Sequence, residues 1–193
     1  MTNIGKLEES KKIYRSRRAK KMRKGYIQVY TGNGKGKTTA AIGLAIRAAG
    51  AGLKILFVQF VKGMKYSEIN ALERFSDCIS IRQFGRGCFI QKQPQNEDVE
   101  IARNGLQEIE TEMRNGKYDI IILDEANIAM YFGLFSVEEL LGIIMQRKPE
   151  CEVVITGRYA PAELIEVADL VTEMKEIKHY YTNGIEAREG IEK

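Results

Sequence analysis

The stretch YTGNGKGKTTA, residues 30–40, holds the residue types that grip phosphate. Gly36-Lys37-Thr38 fits the end of the pattern G-x-x-x-x-G-K-[ST], but its first glycine position is taken by Thr31, and an extra lysine, Lys35, stands inside the loop. In such a loop successive backbone N–H groups and a helix N-terminus converge on an anion. Gly32, Gly34 and Gly36 allow close backbone approach, Lys37 can reach phosphate oxygens, and Thr38 offers a hydroxyl to magnesium. A second group, Asp124-Glu125, closes the apolar run of YDIIILDEA (118–126). An acid at the carboxyl end of a strand holds a metal or orients an attacking group, although the same pattern also serves as a helix cap or turn. Arg158 ends VVITGR at another strand's carboxyl edge, where it either contacts phosphate or pairs with a surface carboxylate. Arg47, on the helix after the loop, has the same two readings, and His179 reads as structural or exposed.

These residues need a scaffold, and the hydrophobic pattern supplies one. From residue 26 short apolar runs alternate with amphipathic stretches, the signature of strands and crossover helices in a mostly parallel α/β sheet flanked by helices. YIQVY (26–30), KILFVQFV (54–61), ISIRQF (79–84), YDIIILDEA (118–126), CEVVITG (151–157) and ADLVTEM (168–174) read as strands. TTAAIGLAIRAAG reads as a helix ending near Gly50 and Gly52, and Ser67 to Phe75 as a short helix with Ile69 and Leu72 inward. Val99, Ala102, Leu106, Ile109 and Met113 share one helical face. Ser136 and Glu139 form a capping box for a helix ending near Arg147, and another helix opens at Pro161. GRGCFIQKQPQ (85–95) has two glycines, a proline and no period, so it reads as a loop long enough to carry function.

Length and composition set the outer bounds. A chain of 193 residues, 44% hydrophobic and 29% charged, suits one globular domain, and no apolar run is long enough to span a bilayer. Three cysteines without C-x-x-C spacing, and a start without a signal-type apolar stretch, point to free thiols in the cytoplasm. The formal charge of +4 hides an asymmetry. Residues 1–25 hold ten Lys/Arg against two Glu, whereas residues 26–193 hold twenty Lys/Arg against twenty-four Asp/Glu. The basic extension, residues 1–24, reads as a solvated arm, a polyanion contact or a lid over an anionic ligand. Residues 25–193 read as the domain itself.

Taken together, TGNGKGKTTAAIG (31–43), VQFVKG (58–63), IILDEAN (121–127), VVITGR (153–158), ELIEVADLVTEM (163–174) and IKHYYTNGIEAREGIE (177–192) resemble the P-loop corrinoid adenosyltransferases, collinearly over residues 25–193. The resemblance implies a RecA-like P-loop NTPase fold. It also implies transfer of the 5′-deoxyadenosyl group of ATP to the Co(I) of a reduced corrinoid such as cob(I)alamin, with release of triphosphate, in adenosylcobalamin biosynthesis or salvage. On this resemblance Gly32, Asn33, Gly34, Lys35, Gly36, Lys37, Thr38 and Thr39 bind the nucleotide, and Lys37, Thr38, Glu125 and Arg158 act in catalysis. Thr38 and Asp124 hold Mg²⁺ or Mn²⁺. The family binds ATP reversed along the loop, which gives the altered glycine and Lys35 a reason.

Family members often carry tryptophan near the corrin, whereas this chain has none, so Phe89 and Tyr66 stand as the corrinoid-facing residues. The resemblance further implies a homodimer, a flavoprotein reductant and a lid helix at the N-terminus, while the lack of a long apolar run points to no membrane association. The competing expectations are a RecA-like ATPase coupled to nucleic acid, which the basic extension would serve, and a non-catalytic corrinoid or nucleotide sensor.

Overall fold

In the computed structural model of the protein, residues 24–64, 66–86 and 93–192 are described. Phe89 and the extension 1–23 therefore lie outside the described residues. The elements run β1 (Ile27–Thr31), α1 (Lys37–Gly50), β2 (Ile55–Phe60), α2 (Ser67–Leu72) and β3 (Ile79–Phe84). They continue as α3 (Asn96–Asn115), β4 (Ile120–Asp124), α4 (Ala126–Tyr131), α5 (Val137–Ile144), β5 (Glu152–Thr156), α6 (Ala162–Val167) and β6 (Leu170–Glu173). Short 3₁₀ turns follow α2 and occupy Tyr180–Asn183.

Among the described residues the strands form one sheet in the order β3-β2-β4-β5-β1-β6, with every pairing parallel. Helices cover both faces, and the period-2 alternation of the strands decides which residue meets which layer. In β2, Leu56, Val58 and Phe60 face the layer containing α3, α4, α5 and α6, while Ile55 and Phe57 face α1 and α2. The α1 stripe, Ala41, Ala45 and Ala48, is small enough to lie close on the sheet. Phe57 and Phe60 are fully buried, each stabilising the fold by about 1.5–3 kcal/mol.

The boundaries follow local chemistry. Ser136 and Glu139 make the expected reciprocal cap, at 3.2 and 2.7 Å, although α5 stops at Ile144 rather than near Arg147. Gln95 and Asp98 form a second capping box at α3, and Gly116 ends that helix at φ 63. The periodicity missed α4, whose six residues begin directly on Glu125 in a left-handed conformation. β5 is inserted between β1, which carries the loop, and β4, which carries the acids. The loop and the acids thus sit at one carboxyl edge of the sheet with the end of β5 between them.

Candidate functional site

The loop owes its form to where β1 ends. Thr31, at the place of the missing glycine, is still extended and paired with β6. Its register partner is Glu173, and its carbonyl accepts from Met174 N at 2.8 Å. The Thr31 hydroxyl accepts from Ala160 N at 3.3 Å, tying the loop to the segment after β5. The turn begins one residue later, at Gly32 with φ 92. A Cβ there would lie 2.5 Å from the Met174 carbonyl oxygen, so no larger residue fits. Gly36, at φ 116, delivers the chain into α1, whose first internal hydrogen bond runs from Ala40 N to Gly36 O. The N–H groups of Lys37, Thr38 and Thr39 therefore precede the helical ladder and have no acceptor within it. Lys37 is 7% exposed and donates to the carbonyls of Gly32 and Gly34, both at 2.7 Å. Burial lowers its pKa, and Arg158 and Lys62 push the same way against Glu125 and Asp124.

Asp124 is the buried anchor of the site. It is fully buried and accepts from Thr156 Oγ1 at 2.6 Å, Thr38 Oγ1 at 2.9 Å, Lys62 Nζ at 3.0 Å and Gln59 Nε2 at 3.1 Å. Four donors offset the desolvation that an unpaired carboxylate could not survive. Parallel register supplies two of the polar neighbours, because Gln59 of β2 pairs with Asp124 of β4 and with Gln83 of β3. Gln83 Nε2 in turn donates to Gln59 Oε1 at 3.0 Å. Thr156 Oγ1 accepts from Glu125 N at 3.1 Å, so one hydroxyl bridges β5 to both acids. Burial, and then the Asp124 charge beside it, raises the Glu125 carboxyl above its usual range, partly opposed by Lys62, Lys37 and Arg158.

The loop and Glu125, though not the buried Asp124, border a cavity of about 880 Å³, within the range of about 300–1,000 Å³ usual for small-molecule sites. Gly34, Lys35, Gly36, Lys37, Thr38 and Thr39 line one side. Lys62, Glu125 and Arg158 line the other, while Gly32 and Asn33 lie outside the lining. Arg158 is exposed and makes no hydrogen bond or ion pair with a described residue, which leaves its guanidinium to the cavity. Arg47 lies exposed along α1, outside the cavity lining. Tyr66 is half-buried at the entrance to α2, with its ring centroid 6.0 Å from Lys62 Nζ.

Lys35 takes a direction of its own, donating to Glu192 Oε1 and to the carbonyl of Ile191, both at 2.8 Å. Glu192 also accepts from Tyr180 Oη and from Arg188, and these contacts hold its carboxyl far below the usual carboxylate range, Arg188 first and Lys35 next. Residues of this C-terminal segment, including His179, Gly190 and Ile191, thereby become a wall of the cavity.

Sequence reasoning assigned no role to Lys62, Gln59 or Thr156. A signal was present, because Gln59 is the one polar residue inside the apolar run ILFVQFV (55–61) and Lys62 follows that run directly. Backbone strain points to the same place. Among the described residues the non-glycine positions with positive φ are Val61 (63°), Glu125 (59°) and Tyr159 (60°), following β2, β4 and β5 at the cavity edge. Such conformations cost energy and concentrate where side chains must be aimed. Tyr159 stacks on Tyr131 with ring centroids 4.3 Å apart, both rings half-exposed or more.

The donor chemistry is that of a hard cation. The Thr38 hydroxyl and Asp124 carboxylate are oxygen donors in mutual contact, and the Lys62 ammonium already rests on both, at 3.3 and 3.0 Å. No group of three or more His, Cys, Asp or Glu gathers as a metal site among the described residues. Two oxygen donors, the Thr38 hydroxyl and the Asp124 carboxylate, fit Mg²⁺ or Mn²⁺, ions that prefer oxygen ligands and complete their shell with phosphate and water.

The chain is similar to known proteins over most of its length. The curated corrinoid adenosyltransferase of Sinorhizobium sp is 39% identical over 172 residues, covering 88% of this chain and 80% of that protein. The corrinoid adenosyltransferases of Pseudomonas aeruginosa and Escherichia coli are 35% and 34% identical, each over 88% of this chain. Those alignments cover 84% and 86% of the two relatives. Among solved structures, the flagellar accessory protein FlaH of Methanocaldococcus jannaschii superposes with a TM-score of 0.56 over 78% of this chain and 71% of FlaH. At 13% identity that likeness bears on the RecA-like fold alone. A family profile described as ATP:corrinoid adenosyltransferase BtuR/CobO/CobP matches residues 23–192, and the chain belongs to that family.

Proposed function

We propose that this enzyme carries the 5′-deoxyadenosyl group of ATP to the reduced cobalt of a corrinoid through the residues gathered at the carboxyl edge of β1, β2, β4 and β5. The observation that carries this reading is one cavity joining the phosphate loop to Glu125 and Arg158 in a chain of this family. In the reaction the Co(I) electron pair attacks C5′ and the C5′–O bond breaks. The electron pair of that bond leaves with the triphosphate, and cobalt is formally oxidised to Co(III). Cobalt(I) is a strong nucleophile, so the protein has no general base to supply. Its task is to hold C5′ in line and to stabilise the charge of the departing triphosphate.

The loop N–H groups from Lys35 to Thr39 and the Lys37 ammonium would cradle that triphosphate, and Arg158 would add charge from the opposite wall. Glu125 would orient the ribose or the metal shell. Thr38 and Asp124 would hold Mg²⁺ or Mn²⁺, which when bound neutralises phosphate charge. On the corrin side the reading keeps Tyr66 and Phe89 as facing groups and the basic residues 1–24 as a lid. A flavoprotein reductant and a homodimeric working unit, both resting on the family resemblance, and a cytoplasmic setting, resting on the cysteine usage, complete it. Among the described residues no helix is long and apolar enough to cross a membrane.

The test is incubation with ATP, Mg²⁺ and chemically reduced cobalamin. A light-sensitive cobalt–carbon bond is expected, and its absence from folded, ATP-binding protein would overturn the reading. Lys37→Ala should lower the rate by about 10²–10³-fold, the usual loss when one preorganised charge-stabilising donor is removed.

A further inference from the structure

Lys62 is the group at this site whose role is least explained by a phosphate loop and a pair of acids. Its backbone is fixed. Val61, β-branched and at φ 63, turns the chain at the end of β2 while its N–H donates to Phe84 O at 3.1 Å. A Cβ on Gly63 would lie 2.2 Å from the Arg86 carbonyl oxygen, and one on Gly85 would lie 2.6 Å from Lys62 N, so the ends of β2 and β3 are locked together. Arg86 is itself held by Asp98 through two bonds of 2.6 and 2.7 Å. A strained, interlocked turn thus directs one lysine across β2 toward β4. The Lys62 side chain is 10% exposed, 3.0 Å from Asp124 Oδ2, 3.3 Å from Thr38 Oγ1 and 3.8 Å from Glu125 Oε1.

An ammonium on the Thr38–Asp124 pair and a divalent cation on the same oxygens exclude each other, by volume and by the repulsion of like charges. We propose that Lys62 is the resident cation of this site: it holds Thr38 and Asp124 in the nucleotide-free protein, yields to the divalent cation, and then contacts the triphosphate as a further charge-neutralising group. The displaced ammonium stays beside the cavity it lines, between the Glu125 and Glu68 carboxylates of its wall and the space a polyphosphate would fill. The exchange keeps the acids neutralised before the metal arrives and couples metal entry to grip on the phosphates. Only the last step rests on the adenosyl-transfer reading; the competition with metal does not.

The experiment needs no corrinoid. Free Mn²⁺ is followed by electron paramagnetic resonance as it titrates the nucleotide-free full chain and its Lys62→Met variant. Loss of the ammonium should tighten Mn²⁺ binding by about tenfold or more, as removal of an adjacent unit charge requires. With Mg²⁺ present, inorganic tripolyphosphate should bind Lys62→Met about tenfold more weakly, and Lys62→Arg should recover part of that loss. Unchanged or weaker Mn²⁺ binding in folded Lys62→Met would reduce Lys62 to a structural ion pair and overturn the proposal. If Lys62→Met does not fold, Lys62→Gln, which keeps a donor for Asp124 without the charge, carries the same expectation and the same refutation. Tighter Mn²⁺ with unchanged tripolyphosphate binding would overturn the phosphate contact alone.

Discussion

At the scale of single residues the site is a set of charges held by neutral hydrogen-bonding groups. Thr156 is the clearest case, since its hydroxyl donates to Asp124 at 2.6 Å and accepts from Glu125 N at 3.1 Å. Thr156→Val keeps the shape and removes both bonds, so it should cost about 1–3 kcal/mol of stability, read from urea unfolding. A loss under 0.5 kcal/mol would show that water replaces the hydroxyl. Much of the residue-level site was legible in the sequence: Lys37, Thr38, Asp124, Glu125 and Arg158 come together as their motifs require. Thr31 changed meaning on inspection, because its position is an extended, paired strand residue and the turn that needs glycine starts at Gly32. Lys62 and Gln59 lie in VQFVKG, a stretch that carries the family resemblance but assigns neither of them a role. Their roles come from parallel register, which sequence patterns do not encode.

At the scale of elements, the alternation of apolar runs located the strands to within a few residues, and the capping residues located the helices they cap. Two things were invisible. One is the strand order, which places β5 between the loop and the acids and depends on long-range pairing. The other is the return of the C-terminal segment over the phosphate loop, secured by Glu192 on Lys35. Lys35, the unusual lysine of the loop, is thus a fastening point for the last residues of the described chain as well as a candidate phosphate contact. Glu192→Ala removes the shared acceptor of Lys35, Arg188 and Tyr180. Faster proteolysis within residues 177–192 is expected, with the thermal midpoint nearly unchanged because the segment contributes no fully buried core residue. Equal cleavage rates would show that other contacts hold the segment.

At the scale of the whole molecule, two apolar layers on one parallel sheet support a single polar edge, and function and stability separate along that division. Cys151 belongs to the stability half. It is 3% exposed, and burial pushes its thiol from an ordinary 9.0 up to about 12. A raised folded pKa stabilises fully below about pH 9 and loses that contribution as pH climbs toward 12. Wild type should therefore lose stability across this window faster than Cys151→Ala, by up to about 1.4 kcal/mol per pH unit, and parallel curves would contradict the assignment. The function half makes one central claim, that the whole triphosphate leaves from C5′. Phosphorus-31 NMR of the products formed from ATP and reduced corrinoid tests it most directly. Inorganic triphosphate in one-to-one ratio with the adenosylated corrinoid is the predicted result; ADP with inorganic phosphate would contradict it.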